Sequence, residues 1–326
     1  MKRQGGLFER VISFQNLLAA AHRAQRGHRK KAGPAEFHFH LERNLLTLHD
    51  ELVSDAYQPG AYRMFWIRDP KRRLISAAPY RDRVVHHALC RVIEPVFERT
   101  FIFHSYANRL GKGTHRALDR ASACCRRWNY VLKCDVEKFF PSIDHQILLG
   151  LIGRKIKCGR TLALFERIIA ASNPQEPMLR YFPGDHLFTP YERRRGIPIG
   201  NLTSQFLANV MLDPLDHFAK EELHRRGYVR FADDFLIFGD DKSALHGLLE
   251  TLRRFLIPYR LHLHRRKCVV QPTKVGVPFL GWRLFPTHRR LRRSTGVRCS
   301  GCSPLLTHWM TYSAKDESSQ PDDGCP

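Results

Sequence analysis

The stretch "YVRFADDFLIFGDD" sets two adjacent aspartates, Asp233 and Asp234, between two runs that otherwise read as β-strand. Tyr228, Val229 and Phe231 form the first run, and Phe235, Leu236, Ile237 and Phe238 the second. A break this short between two such runs is a hairpin turn, so the fold must contain antiparallel pairing. Aspartate is a good turn residue, and a solvated pair at a hairpin tip would need no further explanation. The rest of the chain makes the pair unusual, because Lys and Arg number 54 against 31 Asp and Glu, a net charge of +23. A chain this positive meets a polyanion, most often nucleic acid. Its basic runs ("RGHRKK", "DPKRR", "YERRRG", "LHRRK", "THRRLRR") recur along the whole length. That distribution suits a long groove tracking a phosphate backbone better than a single tail. On charge alone, a generic basic surface such as that of a ribosome-associated protein fits as well.

Periodicity supplies the other elements. The first 55 residues read as two helices, the second carrying a stripe of Phe37, Leu41, Leu45, Leu48 and Leu52 with Pro34 in its first turn. Residues 61–78 read as a hairpin around "RDPK", followed by a helix with Val84, Val85, Ala88, Leu89 and Val92 on one side and another from Thr114 to Trp128. "YVLKCDVEKFF" is a short apolar strand ending at Asp135. Helices are expected from His145 to Ile156 and from Thr161 to Ala171, then a polar, aromatic loop to Gly196. A helix capped by Asn201 or Thr203 precedes the aspartate hairpin. A helix from Ser243 to Phe255 follows it, with strands near Val269 and from Phe279 to Phe285. Irregular alternation with antiparallel strands makes this an α+β protein.

From about Ser294 the sequence loses periodicity and reads as irregular or disordered chain. Within it Cys299 and Cys302, with His308 and Cys325, hold four possible zinc ligands at an irregular spacing, a weak zinc signal. Nine cysteines without a signal peptide argue against a disulfide framework, and Cys90, Cys134 and Cys268 read as small core residues. No run approaches the roughly 18 apolar residues of a membrane span. The start "MKRQGGLFER" lacks an apolar core before a cleavage site, so a cytoplasmic protein without a membrane partner is expected.

Asp135 closes one strand, and Asp233 and Asp234 sit at the tip of a hairpin. Crowding three carboxylates would be costly without cations. Two Mg²⁺ ions about 4 Å apart, with Mn²⁺ able to substitute, would resolve the repulsion and supply a catalyst for in-line displacement. Metal inverts the local charge, which is how an acidic cluster can serve beside a polyanion groove. The condition is that the strands of Asp135 and Asp233 be neighbours.

"LKCDVEKFFPSIDH", "RRRGIPIGNLTSQFLANVMLDPLD", "VRFADDFLIF", "HLHRRKCVV" and "FLGWRLFP" resemble, in order and spacing, the palm motifs of reverse transcriptases. "PYRDRVV" and "SYANRLGKGTHRAL" resemble the fingers-side motifs of bacterial, group II intron-like members. The resemblance runs from about Ala61 to Phe285. It implies a right-hand polymerase fold whose antiparallel palm sheet is flanked by helices. The corresponding divisions are an N-terminal helical extension (1–60), fingers (61–130 and 145–200), palm (131–144 and 201–286) and a truncated thumb or irregular tail (287–326).

By the same resemblance Asp135, Asp233 and Asp234 are the metal acids, completed by the Val136 carbonyl, and Lys267 is the residue that protonates pyrophosphate. Phe140 is a gate against the ribose 2′-hydroxyl, or else plain core. Arg68 and Arg72 bind the triphosphate, while Arg81 and Arg83 contact template or pack the fingers. Leu280, Gly281 and Trp282, in "FLGW", form a primer grip or a buried strand. "IGNLTSQ" is similar to diversity-generating retroelement enzymes, which copy a template RNA with errors concentrated at adenines. There Ile199 offers none of the hydrogen bonds of the more usual Gln, Gly200 permits close approach, and Ser204 and Gln205 lie by template or nucleotide. The implied partners are template RNA, primer or cDNA, dNTPs and a small basic accessory protein. A group II intron-like or defence-associated relative, or a thumbless nucleic-acid-binding remnant, are the alternatives.

Overall fold

The computed structural model describes residues 3–68, 72–172 and 179–292. The proline turn at Pro70 and the tail with Cys299, Cys302, His308 and Cys325 lie outside the described residues.

Four helices, where two were expected, open the chain: α1 (Leu7–Ile12), α2 (Phe14–Gln25), α3 (Ala32–Phe39) and α4 (Leu41–Val53). The breaks have local causes. Ser13 caps α2, its hydroxyl accepting from the Asn16 N–H, and His40 leaves helical geometry at φ −114°, ψ 42°. The apolar stripe survives the break, since Phe37, Leu45, Leu48 and Leu52 are all buried.

The hairpin follows as β1 (Arg63–Ile67) and β2 (Arg73–Ala77), paired antiparallel from Arg63↔Ala77 to Ile67↔Arg73, with every residue of β1 exposed. Helix α5 (Tyr80–Glu98) buries the predicted stripe Val84, Val85, Ala88, Leu89 and Val92 against α1, α2 and α11 (Leu202–His217). Between α5 and α11 come α6 (Thr114–Arg127), β3 (Tyr130–Asp135), α7 (Phe139–Ser142), α8 (His145–Gly153), α9 (Gly159–Ala170) and α10 (Thr189–Glu192). A wider helical turn, Phe218–Glu222, extends α11. The remaining elements are β4 (Tyr228–Phe231), β5 (Asp234–Gly239), α12 (Lys242–Leu256), β6 (Val269–Pro272), β7 (Val277–Phe279), β8 (Trp282–Leu284) and β9 (Arg289–Leu291). No helix among the described residues is long and apolar enough to cross a membrane.

The central sheet has the order β4-β5-β3-β6, every pair antiparallel. Its strands read as continuous apolar runs because both faces are covered. Leu132, Cys134, Phe235 and Ile237 join the core built on α5, α11 and α12. Val131, Leu236 and Phe238 point the other way, onto α6 and the β7–β8 hairpin. Each aliphatic side chain buried this way stabilises the fold by about 1.5–3 kcal/mol. Cys90, Cys134 and Cys268 are buried and free, as read from the sequence.

Two expectations near the C-terminal side change. The strand expected from Phe279 to Phe285 is a hairpin, turning at Leu280 and Gly281. Both have positive φ (46° and 82°), the geometry of a two-residue turn matched to strand twist. Residues 289–291, at the start of the span read as truncated thumb or irregular tail, add β9 to that hairpin. There the Arg289 Nε donates to the Ser122 Oγ at 2.7 Å and Nη2 donates to Asp119 on α6.

Candidate active site

Strand pairing brings the acids together. In the β3–β5 register Asp135 stands directly opposite Asp234. Asp233 occupies the two-residue turn between Phe231 and Asp234 with Ala232, and its carbonyl accepts from the Val136 N–H at 3.3 Å. Like charges directly opposite across a sheet repel, so this arrangement needs a cation. In the structure two lysines serve. Lys267 Nζ lies 2.5 Å from Asp135 Oδ2, and Lys133 Nζ 3.5 Å from Asp234 Oδ1. Burial, with the Asp234 and Asp135 carboxylates, pushes the Asp233 carboxyl up to about 6, while the charge of Arg73 opposes this. Burial also raises Asp234, opposed by Lys133. Among the described residues no three His, Cys, Asp or Glu side chains form a ready metal cage. Register and turn bring Asp135, Asp233 and Asp234 to one end of the sheet, with Asp135 and Asp234 each paired with a lysine. The donors of the expected metal set are all carboxylate or carbonyl oxygens, the type a hard divalent ion takes, so the residues fit Mg²⁺ or Mn²⁺.

The turn that carries Asp233 rests on a buried guanidinium. Arg230, on β4, is fully buried, and each of its five N–H donors has an acceptor. Nε and Nη2 grip the two oxygens of Asp216 at 2.7 and 2.6 Å. The remaining bonds go to Asn209 Oδ1, Ser105 Oγ and the Ala232 carbonyl, the last at 3.0 Å. Ala232 itself sits at φ +53°, a conformation that L-residues adopt only when their surroundings impose it.

A strap, residues 196–201, joins α7 to β2. Gly196 and Ile197 donate their N–H groups to the carbonyls of Ile143 (2.8 Å) and Phe140 (3.1 Å). The Ile199 carbonyl accepts from the Ser76 N–H at 3.2 Å. Asn201 stands at the N-cap of α11 but caps nothing. Its side chain instead donates to the Ser76 carbonyl (3.2 Å) and accepts from the Ala78 N–H (3.4 Å). Gly200 is required here, since its φ is +112° and a Cβ would meet Ile75 Cγ2 at 3.0 Å.

The other predicted residues divide. Phe140 is half-buried, its ring edge-on to Phe139 at 5.5 Å. Ile199 and Gln205 are half-buried, whereas Ser204 is buried inside α11 and so removed from any template surface. Arg68 is exposed, and Arg72 lies over the Trp66 ring at 4.2 Å. Arg81 is paired with Glu51 and covers the Tyr57 ring, and Arg83 lies 6.0 Å from the Tyr80 ring. Both sit on α5, against the N-terminal helices. Leu280 and Gly281 form their turn with Trp282 after it, and Lys133 donates to the nearby Pro278 carbonyl at 3.0 Å.

Sequence reasoning missed Arg73, Lys133, Arg230 and Asp216. For Lys133 and Arg230 a signal existed, since each is the one charge inside an otherwise apolar strand run. Arg73 is the second arginine of a pair, and nothing in the sequence favours it over Arg72.

The chain matches the family described as reverse transcriptase (RNA-dependent DNA polymerase) over residues 68–284. It is 26% identical over 286 residues to Protein YkfC of Escherichia coli K12, covering 76% of this chain and 72% of that protein. To the group II intron-encoded protein LtrA of Lactococcus lactis subsp. cremoris it is 25% identical over 326 residues, 80% of this chain and 52% of LtrA. In fold it is similar to apo telomerase from Candida tropicalis, with a TM-score of 0.52 at 11% identity over 72% of this chain and 49% of that one. It thus spans about half the length of LtrA and of the telomerase chain. With the acid pair inside the matched span and a family match over most of its length, the chain belongs to the reverse transcriptases.

Proposed function

We propose that this chain is an RNA-directed DNA polymerase that copies a template RNA into cDNA from dNTPs, and that it belongs to the error-prone, diversity-generating type. The register of Asp135 opposite Asp234, with Asp233 in the adjoining turn, carries the polymerase reading. Asp135, Asp233, Asp234 and the Val136 carbonyl would hold two Mg²⁺ ions, or Mn²⁺ in their place, which when bound activate a primer 3′-hydroxyl and neutralise the leaving group.

The protein's own groups do the rest. Lys267 Nζ donates to Asp135 Oδ2, placing a proton donor where pyrophosphate would depart. Arg72 and Arg73, with Arg68 beyond the other strand, offer guanidinium forks to the triphosphate. The ring of Phe140 crowds a ribose 2′-hydroxyl and leaves it without a partner, which favours deoxynucleotides. Leu280, Gly281 and Trp282 support the primer. Gln205, half-buried in the first turn of α11, faces template in this reading. Arg81 and Arg83 act as packing residues of the fingers.

The mutagenic assignment rests on the strap. Ile199, tied through its carbonyl to Ser76, has no side-chain hydrogen bond with which to check a nucleotide, so adenine templating is loosened. A template RNA and a small basic accessory protein are its partners in this reading. A faithful, intron-type polymerase is the second reading, favoured by the similarity to an intron-encoded protein.

Primer extension on an adenine-containing RNA with Mg²⁺, comparing dNTPs with rNTPs and sequencing the product, tests both. The expected result is cDNA from dNTPs with errors clustered opposite adenine, reduced to background by Asp233→Ala with Asp234→Ala. Accurate cDNA would replace the mutagenic type by the intron type. Absence of product with template RNA and accessory protein present would refute the polymerase.

A further inference from the structure

The segment 179–195, ahead of the strap, belongs to none of the roles above. It exposes Leu187, Phe188 and Tyr191 at 67, 62 and 71% of their surface. Single exposed apolar residues are ordinary, but three within five positions, two of them aromatic, mark an interaction surface.

The surface is held firmly from behind. The Arg193 guanidinium is buried, paired with Asp185 and 3.6 Å from Asp144, and lies over the Phe182 ring at 5.3 Å. Phe182 stacks on His262, ring centroids 4.8 Å apart at 15°. Arg180 reaches Glu137 at 2.9 Å, and the Tyr181 hydroxyl donates to the Leu187 carbonyl at 3.1 Å. A loop this well tied keeps its rings outward without having to order them on binding, which lowers the entropic cost of capture.

Charge selects the occupant. Among the described residues no carboxylate lies within ion-pairing distance of Arg194 or Arg195. Burial, together with the facing charges of Arg193 and Arg180, holds the Arg195 guanidinium below the ordinary arginine range, a local excess that an anion would relieve. Exposed rings beside uncompensated arginines suit unpaired nucleic acid, whose bases stack while its phosphates meet the cations. Position agrees. His262, under Phe182, gives its carbonyl to the Glu137 N–H at 2.8 Å, and the His264 N–H bonds the Asp135 carbonyl at 2.8 Å. The loop therefore stands at the acid end of the sheet.

We propose that residues 179–195 form a platform for single-stranded RNA, bases stacking on Phe188 and Tyr191 and phosphates resting on Arg194 and Arg195. The inference rests on the reading that the chain copies RNA, and it assigns the unpaired template beyond the duplex to this loop.

Fluorescence anisotropy with a labelled, unstructured 20-nucleotide RNA, and with the same sequence as a duplex, tests it without catalysis. Phe188→Ser with Tyr191→Ser is expected to weaken single-strand binding by at least about 10-fold while leaving the duplex within 2-fold and the salt slope unchanged. Arg195→Gln is expected to lower that slope by about one. Phe188 and Tyr191 are exposed and Arg195 is half-buried, so unchanged thermal unfolding is required of each variant to verify its fold. Single-strand binding unaffected in both variants would overturn the platform and leave the rings as a protein-docking face. A wild-type chain that binds neither RNA would overturn the polymerase reading along with it.

Discussion

Arg230 and Asp216 are both cut off from water, so their pairing must offset the lost hydration of two charges. Such pairs rarely add net stability over apolar residues of similar size, but removing one partner costs about 3–5 kcal/mol. That asymmetry separates stability from activity here. Arg230→Met alone is expected to lower the unfolding free energy by roughly that amount. Arg230→Met combined with Asp216→Leu is expected to recover much of it, because no bare charge remains. Polymerisation should not recover, since neither variant can hold the Ala232 carbonyl and fix the turn beneath Asp233. The apparent Mg²⁺ requirement should rise while the Km for dNTP changes little. Calorimetry with metal titrations of primer extension checks this. A double variant restored in both stability and metal requirement would reduce Arg230 to a purely structural residue.

At the scale of elements, the strap is the joint between the β1–β2 hairpin and the rest of the molecule. Asn201 bridges the Ser76 carbonyl of β2 and the Ala78 N–H just beyond it, both buried, and Asn201→Ala removes both bonds. We expect a loss of about 1–3 kcal/mol and faster amide exchange at Ser76 and Ala78. Exchange at β4 and β5 should be unaltered, and acceleration spread evenly over the chain would contradict a local joint. This residue also shows where sequence reading stops. Asparagine before a helical run is the ordinary cap signature, and position 201 is indeed the N-cap, but tertiary partners took the side chain. By contrast the strands beside Asp135 and Asp233 were legible as short apolar runs meeting acids, while their adjacency stood only as a condition, which the β3–β5 register meets. The break at His40 and the turn at Leu280 were not legible. A leucine gives no warning of positive φ, and the apolar stripe of α3 and α4 continues across its own interruption.

Over the whole molecule the many histidines divide by burial, and this sets the response to acid. Burial, with the neighbouring charges of His87 and Arg83, lowers His86 to about 3. Burial, with Arg23, Arg83 and Arg91, lowers His87 to about 4. The unfolded value of both is 6.5, so between there and pH 3–4 the unfolded chain binds protons that the native chain refuses. Their contribution is complete above pH 6.5 and is lost as pH falls. The unfolding temperature should therefore drop between pH 7 and 5. Among the described residues neither ring nitrogen of His86 has a hydrogen-bond partner, so His86→Leu should raise stability by about 1–3 kcal/mol and flatten the acid limb. An unchanged limb in His86→Leu would show that other groups govern the acid response. The sequence gives no hint of this, since "VVHHAL" does not say which imidazole faces inward.

Strand β3 stands in the middle of its sheet, with apolar side chains on both faces, yet both its neighbours come much later in the chain. During translation at about 5–20 residues per second, the roughly hundred residues between Asp135 and Asp234 take on the order of 5–20 s to appear. For that interval Val131, Leu132 and Cys134 emerge with neither ladder partner available, so nascent β3 presents apolar side chains and two unpaired edges, the condition that favours aggregation. The feature that places the acids opposite one another also lengthens the time for which the newborn chain carries that open surface.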